Sequence, residues 1–121
     1  MRTLGKKILV MVIVFSFIFT TAAFPQSVLA ARGLEAPDGL KAKAYGDDAI
    51  KLTWNKVRGA VKYYIYRYEP LIDVYDYLDS TTDTEYIDEY LDEGKTYFYK
   101  VKAVDSYGEE SDFSEEDSAR V

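Results

Sequence analysis

Beyond residue 36, apolar and polar side chains alternate along short segments that are separated by turn-forming residues. The segment AIKLTWN places Ile50, Leu52 and Trp54 on one side and polar side chains on the other, which is the period of a half-buried strand. No segment shows a sustained helical period. The spacing predicts about seven strands, in GLKAKAY, AIKLTWN, YYIYRYE, residues 74–78, a segment centred on Tyr86, Thr96–Val104 and SARV. Short strands at this spacing are typical of an antiparallel β-sandwich, an all-β fold.

Four of the seven residues in the segment YYIYRYE, residues 63–69, are tyrosine. It ends before Pro70, which cannot donate to a strand ladder. As a strand it has two rows of side chains. We expect Tyr63 and Ile65 to belong to the core and to pack towards Trp54. The other row then points out of the sheet, and consists of Tyr64, Tyr66 and Tyr68.

The first 30 residues differ from the rest of the chain. A basic start, MRTLGKK, is followed by an apolar run, Ile8–Phe19, and by small residues that end at Ala30. These are the three parts of a secretory signal peptide, whose apolar part we expect to be helical. We predict cleavage after Ala30, with Ala23 as the alternative position. An uncleaved membrane anchor is the other alternative, although the strictly apolar run is shorter than the ~20 residues of a spanning helix.

Cleavage after residue 30 leaves residues 31–36 as a short lead-in and residues 37–121 as one exported domain. All 21 acidic residues lie beyond the signal segment. This acidity argues against nucleic acid and anionic membranes as partners, because both need basic patches. A membrane would be contacted only through the N-terminal segment, if that segment is not cleaved. The chain has no cysteine, so the domain must rely on its core rather than on disulfides.

The ordered pieces APDGL, AIKLTWN, VRGAVKYYIYR, TEYIDEYL, LDEGKTYFYKVKAVD and GEES resemble a fibronectin type III domain of the bacterial extracellular kind. The resemblance implies a seven-stranded antiparallel immunoglobulin-like β-sandwich. It also implies that Leu91 and Tyr97 form a tyrosine corner, in which the hydroxyl bonds to backbone just upstream. The structural core that it implies contains Trp54, Tyr63, Ile65, Leu91, Tyr97, Tyr99 and Val101.

In this fold the tyrosine-rich strand is a neighbour of the strand Thr96–Val104. The resemblance therefore places Tyr64 and Tyr66 beside Phe98, flanked by lysine stems. The same alternation predicts an outward row on the longer strand, which consists of Phe98, Lys100, Lys102 and Val104. Tyr75 and Tyr77 on the next strand would extend the aromatic strip. We take Tyr64, Tyr66 and Phe98 as the candidate binding site.

Exposed aromatic rings with polar tips bury contact area at low entropic cost, and they suit both protein partners and sugars. The same rings can also stabilise an exposed sheet face without binding anything, because aromatic cross-strand pairs are favourable. Both interpretations stay open from the sequence. A sugar site also needs hydrogen-bonding side chains beside the rings, and the sequence offers few, chiefly Lys100 and Asn55.

The chain has no histidine and no cysteine, which removes the commonest general base, two strong metal ligands and one nucleophile. Adjacent acidic pairs remain, and we expect each to lie in a solvated turn: Asp47–Asp48, Asp88–Glu89, Asp92–Glu93 and Glu109–Glu110. Four spaced aspartates could attract calcium, but the chain lacks the glycine and glutamate of an EF-hand loop, so they are better explained as an acidic edge: Asp73, Asp76, Asp79 and Asp83.

We therefore predict no catalytic site, no metal and no cofactor. The sequence favours a secreted binding or spacer module that acts through a protein partner or at the cell surface. The alternative is an accessory module that binds carbohydrate or cell-wall polysaccharide.

Overall fold

Seven strands form in residues 33–121, the part of the chain that the computed structural model describes. They are β1 Lys41–Ala44, β2 Ile50–Thr53, β3 Lys62–Glu69, β4 Val74–Thr81, β5 Glu85–Asp88, β6 Thr96–Val104 and β7 Asp117–Arg120. One sheet has the order β1-β2-β5 and the other has the order β4-β3-β6-β7. All pairings are antiparallel. The predicted all-β antiparallel sandwich is confirmed.

The core lies between the two sheets, where their inward rows meet. Leu52 of β2 and Ile65 of β3 are fully buried, as the period-two pattern requires. Trp54 packs edge-on against Tyr63, with ring centroids 5.4 Å apart. The Tyr63 hydroxyl accepts a hydrogen bond from Val57 N–H at 3.0 Å, which satisfies its polar tip. The core residues expected from the sequence lie in or against this cluster: Trp54, Tyr63, Ile65, Leu91, Tyr97, Tyr99 and Val101.

The turn between β5 and β6 is held by Tyr97. Asp92 N–H donates to Tyr97 Oη at 2.9 Å. Leu91, which precedes that aspartate, is buried against the core. This is the tyrosine-corner geometry that the family resemblance implies. Gly94 in the same turn donates its N–H to the carbonyl of Val121 at 2.6 Å, which ties the last residue of the chain to this turn.

Asp88 joins the two sheets and does not lie in a solvated turn, so that prediction for the Asp88–Glu89 pair is wrong. Asp88 is the last residue of β5 and is 5% exposed. Its carboxylate accepts hydrogen bonds from Arg67 of β3 at 2.8 Å and from Tyr99 of β6 at 2.7 Å. A buried carboxylate is tolerated when such donors satisfy it.

The end of β6 also differs from the prediction. Alternation puts Val104 on the outer side, but the residue is fully buried. Beyond β6 the chain folds back on itself. Asp105 N–H donates to the Glu109 carbonyl at 3.0 Å, and Val104 pairs with Glu110 in an isolated bridge. This return encloses the end of the strand, so the burial follows from coverage by the loop rather than from alternation.

The predicted signal peptide, residues 1–30, and the first residues of the lead-in lie outside the described residues. Leu34–Val121 form a compact unit. Leu34 packs against its core, and Pro37 is buried. In residues 33–121 the structure has no helix of the length and hydrophobicity needed to cross a membrane.

Candidate binding face

The outer side of the β4-β3-β6-β7 sheet carries the tyrosine row of β3. Tyr66 lies opposite Tyr77 of β4, and Tyr68 lies opposite Tyr75. A β-bulge between Ile65 and Tyr66 shifts the pairing with β4 by one residue. Because side chains alternate along a strand, this shift brings Tyr75 and Tyr77 to the same side as Tyr66. The bulge therefore joins the tyrosines of two strands into one surface.

A continuous chain of ring contacts runs across this surface, which we call the aromatic face. Within the described residues its members are Tyr64, Tyr66, Tyr68, Tyr75, Tyr77, Phe98 and Phe113. Tyr64 and Tyr66 contact Tyr77 with ring centroids 5.5 Å and 5.9 Å apart, and their rings are inclined at 87° and 81°. Tyr66 meets Phe113 at 4.9 Å and 88°. The rings therefore meet edge to face, the geometry that aromatic quadrupoles prefer.

Lysine side chains of β6 lie between the rings. Lys100 Nζ is 4.4 Å from the ring centroid of Tyr75 and 5.4 Å from that of Phe113. Lys102 Nζ is 4.5 Å from the Phe113 centroid and 5.6 Å from that of Tyr66. Each ammonium group thus contacts two rings, whose negative faces attract it.

Carboxylates accept hydrogen bonds from the tyrosines of this face. Tyr66 Oη donates to Glu110 at 3.3 Å. Tyr75 Oη donates to Glu116. Burial, together with the negative charge of Glu110, raises the pKa of Tyr66 above its ordinary value. Burial and the bond to Glu116 raise the pKa of Tyr75 as well. Both phenols therefore stay protonated at neutral pH.

Phe113 reaches the face from the segment between β6 and β7, which lies outside the predicted strands, so the alternation pattern did not place this residue on the face. Ser111 and Ser114 are buried on either side of it. Ser114 Oγ accepts a hydrogen bond from Val101 N–H at 2.9 Å. Ser111 Oγ accepts one from Ala103 N–H at 2.9 Å. These two hydrogen bonds hold the segment along β6. In the sequence, the signal for this arrangement was a phenylalanine between two serines in an acidic stretch.

The three candidate site residues all lie on the aromatic face, where they are half-buried. The expected contact of Phe98 with Tyr64 and Tyr66 is wrong, however. In the pairing of β3 with β6, Tyr66 lies opposite Lys100. Phe98 contacts Tyr68 instead, with ring centroids 6.3 Å apart. Alternation predicts which face a residue occupies, but it does not predict the register with the neighbouring strand.

The spaced aspartates around β4 have separate partners. Asp73 accepts a hydrogen bond from Tyr68 Oη at 2.6 Å, and Asp79 accepts one from Tyr86 Oη at 3.1 Å. Burial, with the charge of Asp79, raises the pKa of Tyr86 to about 12. In residues 33–121 the structure brings together no group of three acidic side chains that could hold a metal ion.

A depression of about 310 Å³ adjoins the aromatic face at the β3–β4 hairpin. Tyr68 and Phe98 form part of its wall, and Leu71 at the tip of the hairpin is 91% exposed. Glu69 is the one carboxylate among the described residues that line this depression. Hydrolysis of a glycosidic bond uses two carboxyl groups that face each other, so the lining does not provide that arrangement.

Known proteins of several kinds are similar to this chain. It is 38% identical over 76 residues to the poly(3-hydroxybutyrate) depolymerase of Ralstonia pickettii, a match that covers 63% of this chain and 14% of the depolymerase. A solved Fn3-like protein from Clostridium thermocellum is 30% identical, with a TM-score of 0.63 over 71% of this chain and 91% of that chain. The β-1,2-glucanase from Parabacteroides distasonis is 34% identical, with a TM-score of 0.65 over 74% of this chain and 13% of the glucanase.

The two enzymes are far longer than the region they share with this chain, which spans 14% and 13% of their lengths. The Clostridium thermocellum protein matches along nearly its whole length. The family model described as the fibronectin type III domain matches residues 35–119, well over half of the chain. The strand order and the tyrosine corner agree with that match. The chain belongs to the fibronectin type III family.

Proposed function

We propose that this domain is a non-catalytic binding module of an exported protein, and that its aromatic face docks a protein partner. One observation carries the proposal. Ring contacts run without a break across three strands and one loop, with ammonium groups between the rings and carboxylates beside them. Aromatic side chains are enriched in the buried core of protein interfaces, and tyrosine is among the residues that contribute most of the binding energy there. The export is inferred from the signal-peptide pattern of the first 30 residues.

The ring geometry favours a protein over a neutral sugar. A sugar ring stacks on an aromatic ring whose flat side is open. Here Tyr66 meets both Tyr77 and Phe113 edge to face, and ammonium groups cover ring faces. What stays accessible is a corrugated surface, of which Tyr77 and Phe113 are the most exposed members at 52% and 37%. A corrugated surface of this kind can pack against the side chains of a protein partner.

An accessory role is supported by the comparisons. In the depolymerase and the glucanase the matching region is a small fraction of a longer chain. A domain of this kind serves the parent protein through a surface rather than through a cleft. We therefore expect this domain to bind a partner outside the cell and so to hold the protein that carries it next to that partner.

The rival explanation is that the rings only stabilise the sheet. It predicts that changing the most exposed rings alters stability and nothing else. The face variant Tyr77→Ser/Phe113→Ser separates the two explanations. Its matched control is Tyr90→Ser/Tyr107→Ser, which removes two loop tyrosines that are 87% and 90% exposed and that contact no ring of the face within the described residues.

The test is a quantitative pull-down from a cell-surface protein extract, with insoluble cell-wall polysaccharide as a second bait. Thermal unfolding first identifies conditions in which all three proteins are folded. We expect the wild type and the loop control to retain the same protein, and the face variant to retain at least about tenfold less, the loss of a ~1.4 kcal/mol contact. Equal retention by all three proteins would leave the sheet-stabilising role. Loss of polysaccharide rather than protein would favour the carbohydrate-binding alternative.

A further inference from the structure

The outer side of the β1-β2-β5 sheet is basic, although the domain as a whole is acidic. Lys41 and Lys43 of β1 point outward, as do Lys51 and Thr53 of β2, because the residues between them face the core. Lys43 lies directly opposite Lys51 in the pairing of the two strands. All 21 acidic residues of the chain lie in the same exported part. Lys41, Lys43 and Lys51 are therefore grouped on one outer side of a negatively charged domain.

This arrangement is unfavourable for folding. Like charges directly opposite each other on neighbouring strands destabilise a sheet. Lys51 Nζ has a partner in Glu85 at 3.2 Å. In residues 33–121 neither Lys41 nor Lys43 has a carboxylate within 4.0 Å. An anionic ligand would supply the missing counter-charge.

The lysines line a groove. A depression of about 520 Å³ is walled by Lys41, Lys43 and Lys51 and by the Tyr45 region. A second depression of about 360 Å³ adjoins it and runs towards Asn55. The two depressions share Lys41 and Thr53 in their linings and so adjoin along the outer side of β1 and β2; we call the two together the channel. From residue 51 to residue 55 this channel is ~13 Å long, at ~3.3 Å per residue.

An aromatic ring stands at one end of the channel. Tyr45 is 53% exposed, and Lys51 Nζ lies 5.8 Å from its ring centroid. On the aromatic face the rings pack against one another, but no ring-to-ring contact of Tyr45 is found in residues 33–121. The Lys51 ammonium group lies over one face of this ring, and the exposed part of the ring is available for stacking next to groups that attract anions.

We propose that this channel binds an anionic polysaccharide, with the lysines on the carboxylate or phosphate groups of the polymer and Tyr45 against one of its sugar rings. A single extended polysaccharide chain can place its negative charges within the channel, next to the lysines. A duplex or a membrane would spread negative charge over the neighbouring acidic surface and be repelled. The site is on the opposite sheet from the aromatic face, so it stands or falls independently of the proposed protein docking.

The experiment is calorimetric titration of the isolated domain, residues 34–121, which forms a compact unit with its own core. The probes are polygalacturonate for carboxylates, dextran phosphate for phosphates, polyglutamate as an acidic polymer without sugar rings, and dextran as a neutral polysaccharide. The test variant is Lys41→Gln/Lys43→Gln/Lys51→Gln. Its charge-matched control is Lys56→Gln/Arg58→Gln/Lys95→Gln, which removes three positive charges from exposed loops.

We expect at least one of the two anionic polymers with non-peptide backbones to bind the wild type and the loop control alike, and to bind the channel variant at least about tenfold more weakly. Affinity should fall as salt rises, because ions are released on binding. Tyr45→Ala should weaken binding of polygalacturonate but not of polyglutamate. Three results would overturn the proposal. They are equal losses of affinity in both triple variants, binding of polyglutamate as tight as that of polygalacturonate, and no binding of either anionic non-peptide polymer at low salt. Which of the two polymers binds identifies the anionic group.

Discussion

Arg67 Nη1 donates to Asp88 Oδ2 at 2.8 Å and so joins β3 of one sheet to β5 of the other. Tyr99 Oη donates to the same carboxylate oxygen at 2.7 Å. The side chain of Asp88 is 6% exposed, whereas that of Arg67 is 31% exposed. Water can therefore reach the guanidinium far more easily than the carboxylate, and the two halves of the pair should respond differently to substitution.

Arg67→Met should lower the free energy of unfolding by roughly 3 kcal/mol, because it leaves a buried carboxylate without its cation. Asp88→Asn should cost less, because the guanidinium can be solvated. Urea unfolding at neutral pH measures both. The double variant should be more stable than Arg67→Met alone, and a less stable double variant would contradict the argument. Lys95→Met, which removes an exposed pair with Asp92, is the control and should not move the midpoint.

Tyr97→Phe should lower stability by about 1 kcal/mol, because it removes the acceptor of the Asp92 N–H bond and leaves the ring in place. The loss stays small because water can reach the freed N–H at this exposed turn. Chemical unfolding measures it. Tyr107→Phe removes a hydroxyl from a residue that is 90% exposed, and its unfolding midpoint should match the wild type. A Tyr97→Phe variant as stable as that control would show that the corner contributes nothing.

Ser114→Ala should lower stability by about 2 kcal/mol, since it leaves the buried N–H of Val101 without an acceptor. It should also loosen the segment that carries Phe113 over the aromatic face. Unfolding experiments give the first effect, and faster hydrogen exchange at residues 111–116 gives the second. Ser106→Ala, at an exposed loop position, is the control. Unchanged exchange in the Ser114 variant would mean that other contacts hold the segment.

Stability should fall when the pH rises above about 10, the ordinary pKa of tyrosine. Burial and the bond to Asp88 raise the pKa of Tyr99, and burial raises that of Tyr86 to about 12. The folded state therefore holds protons that the unfolded state releases between pH 10 and pH 12, so the stabilisation is complete below that window and is lost through it. Thermal unfolding from pH 7 to pH 12, with tyrosinate absorbance in parallel, checks this. A constant melting temperature across the window would contradict it.

Lys43→Thr should raise stability by roughly 0.5 kcal/mol at low salt, because it removes a like charge opposite Lys51 and introduces a residue that favours strands. The electrostatic part of the gain should shrink in high salt, where charges are screened. Thermal unfolding at two salt concentrations measures it, with Lys56→Thr in a loop as the reference. A loss of stability in the Lys43 variant would mean that the lysine stem packs on the sheet.

Much of the fold could be predicted from local pattern. The alternation in AIKLTWN predicted the buried row of β2, and the break at Pro70 predicted the end of β3. The candidate site was predicted less completely. Tyr64, Tyr66 and Phe98 were placed on the correct face, but the partner of Phe98 was wrong and Phe113 was missed. Those errors concern positions far apart in the chain, where a period of two gives no information about register.

The amino-acid pattern by itself determined the fold class, the strands and the division between inward and outward rows, because burial imposes a fixed period on each strand. Tertiary structure decided what lies beside what. The bulge after Ile65 turns Tyr77 to the outer side and lets Leu78 pack against the core. Contact between the sheets makes Asp88 a buried partner of Arg67 rather than a turn residue. Strand pairing brings Lys43 against Lys51. Each of these relationships joins residues that are far apart in sequence. Their contact depends on how the strands pair and the sheets pack, which the local pattern of residues does not determine.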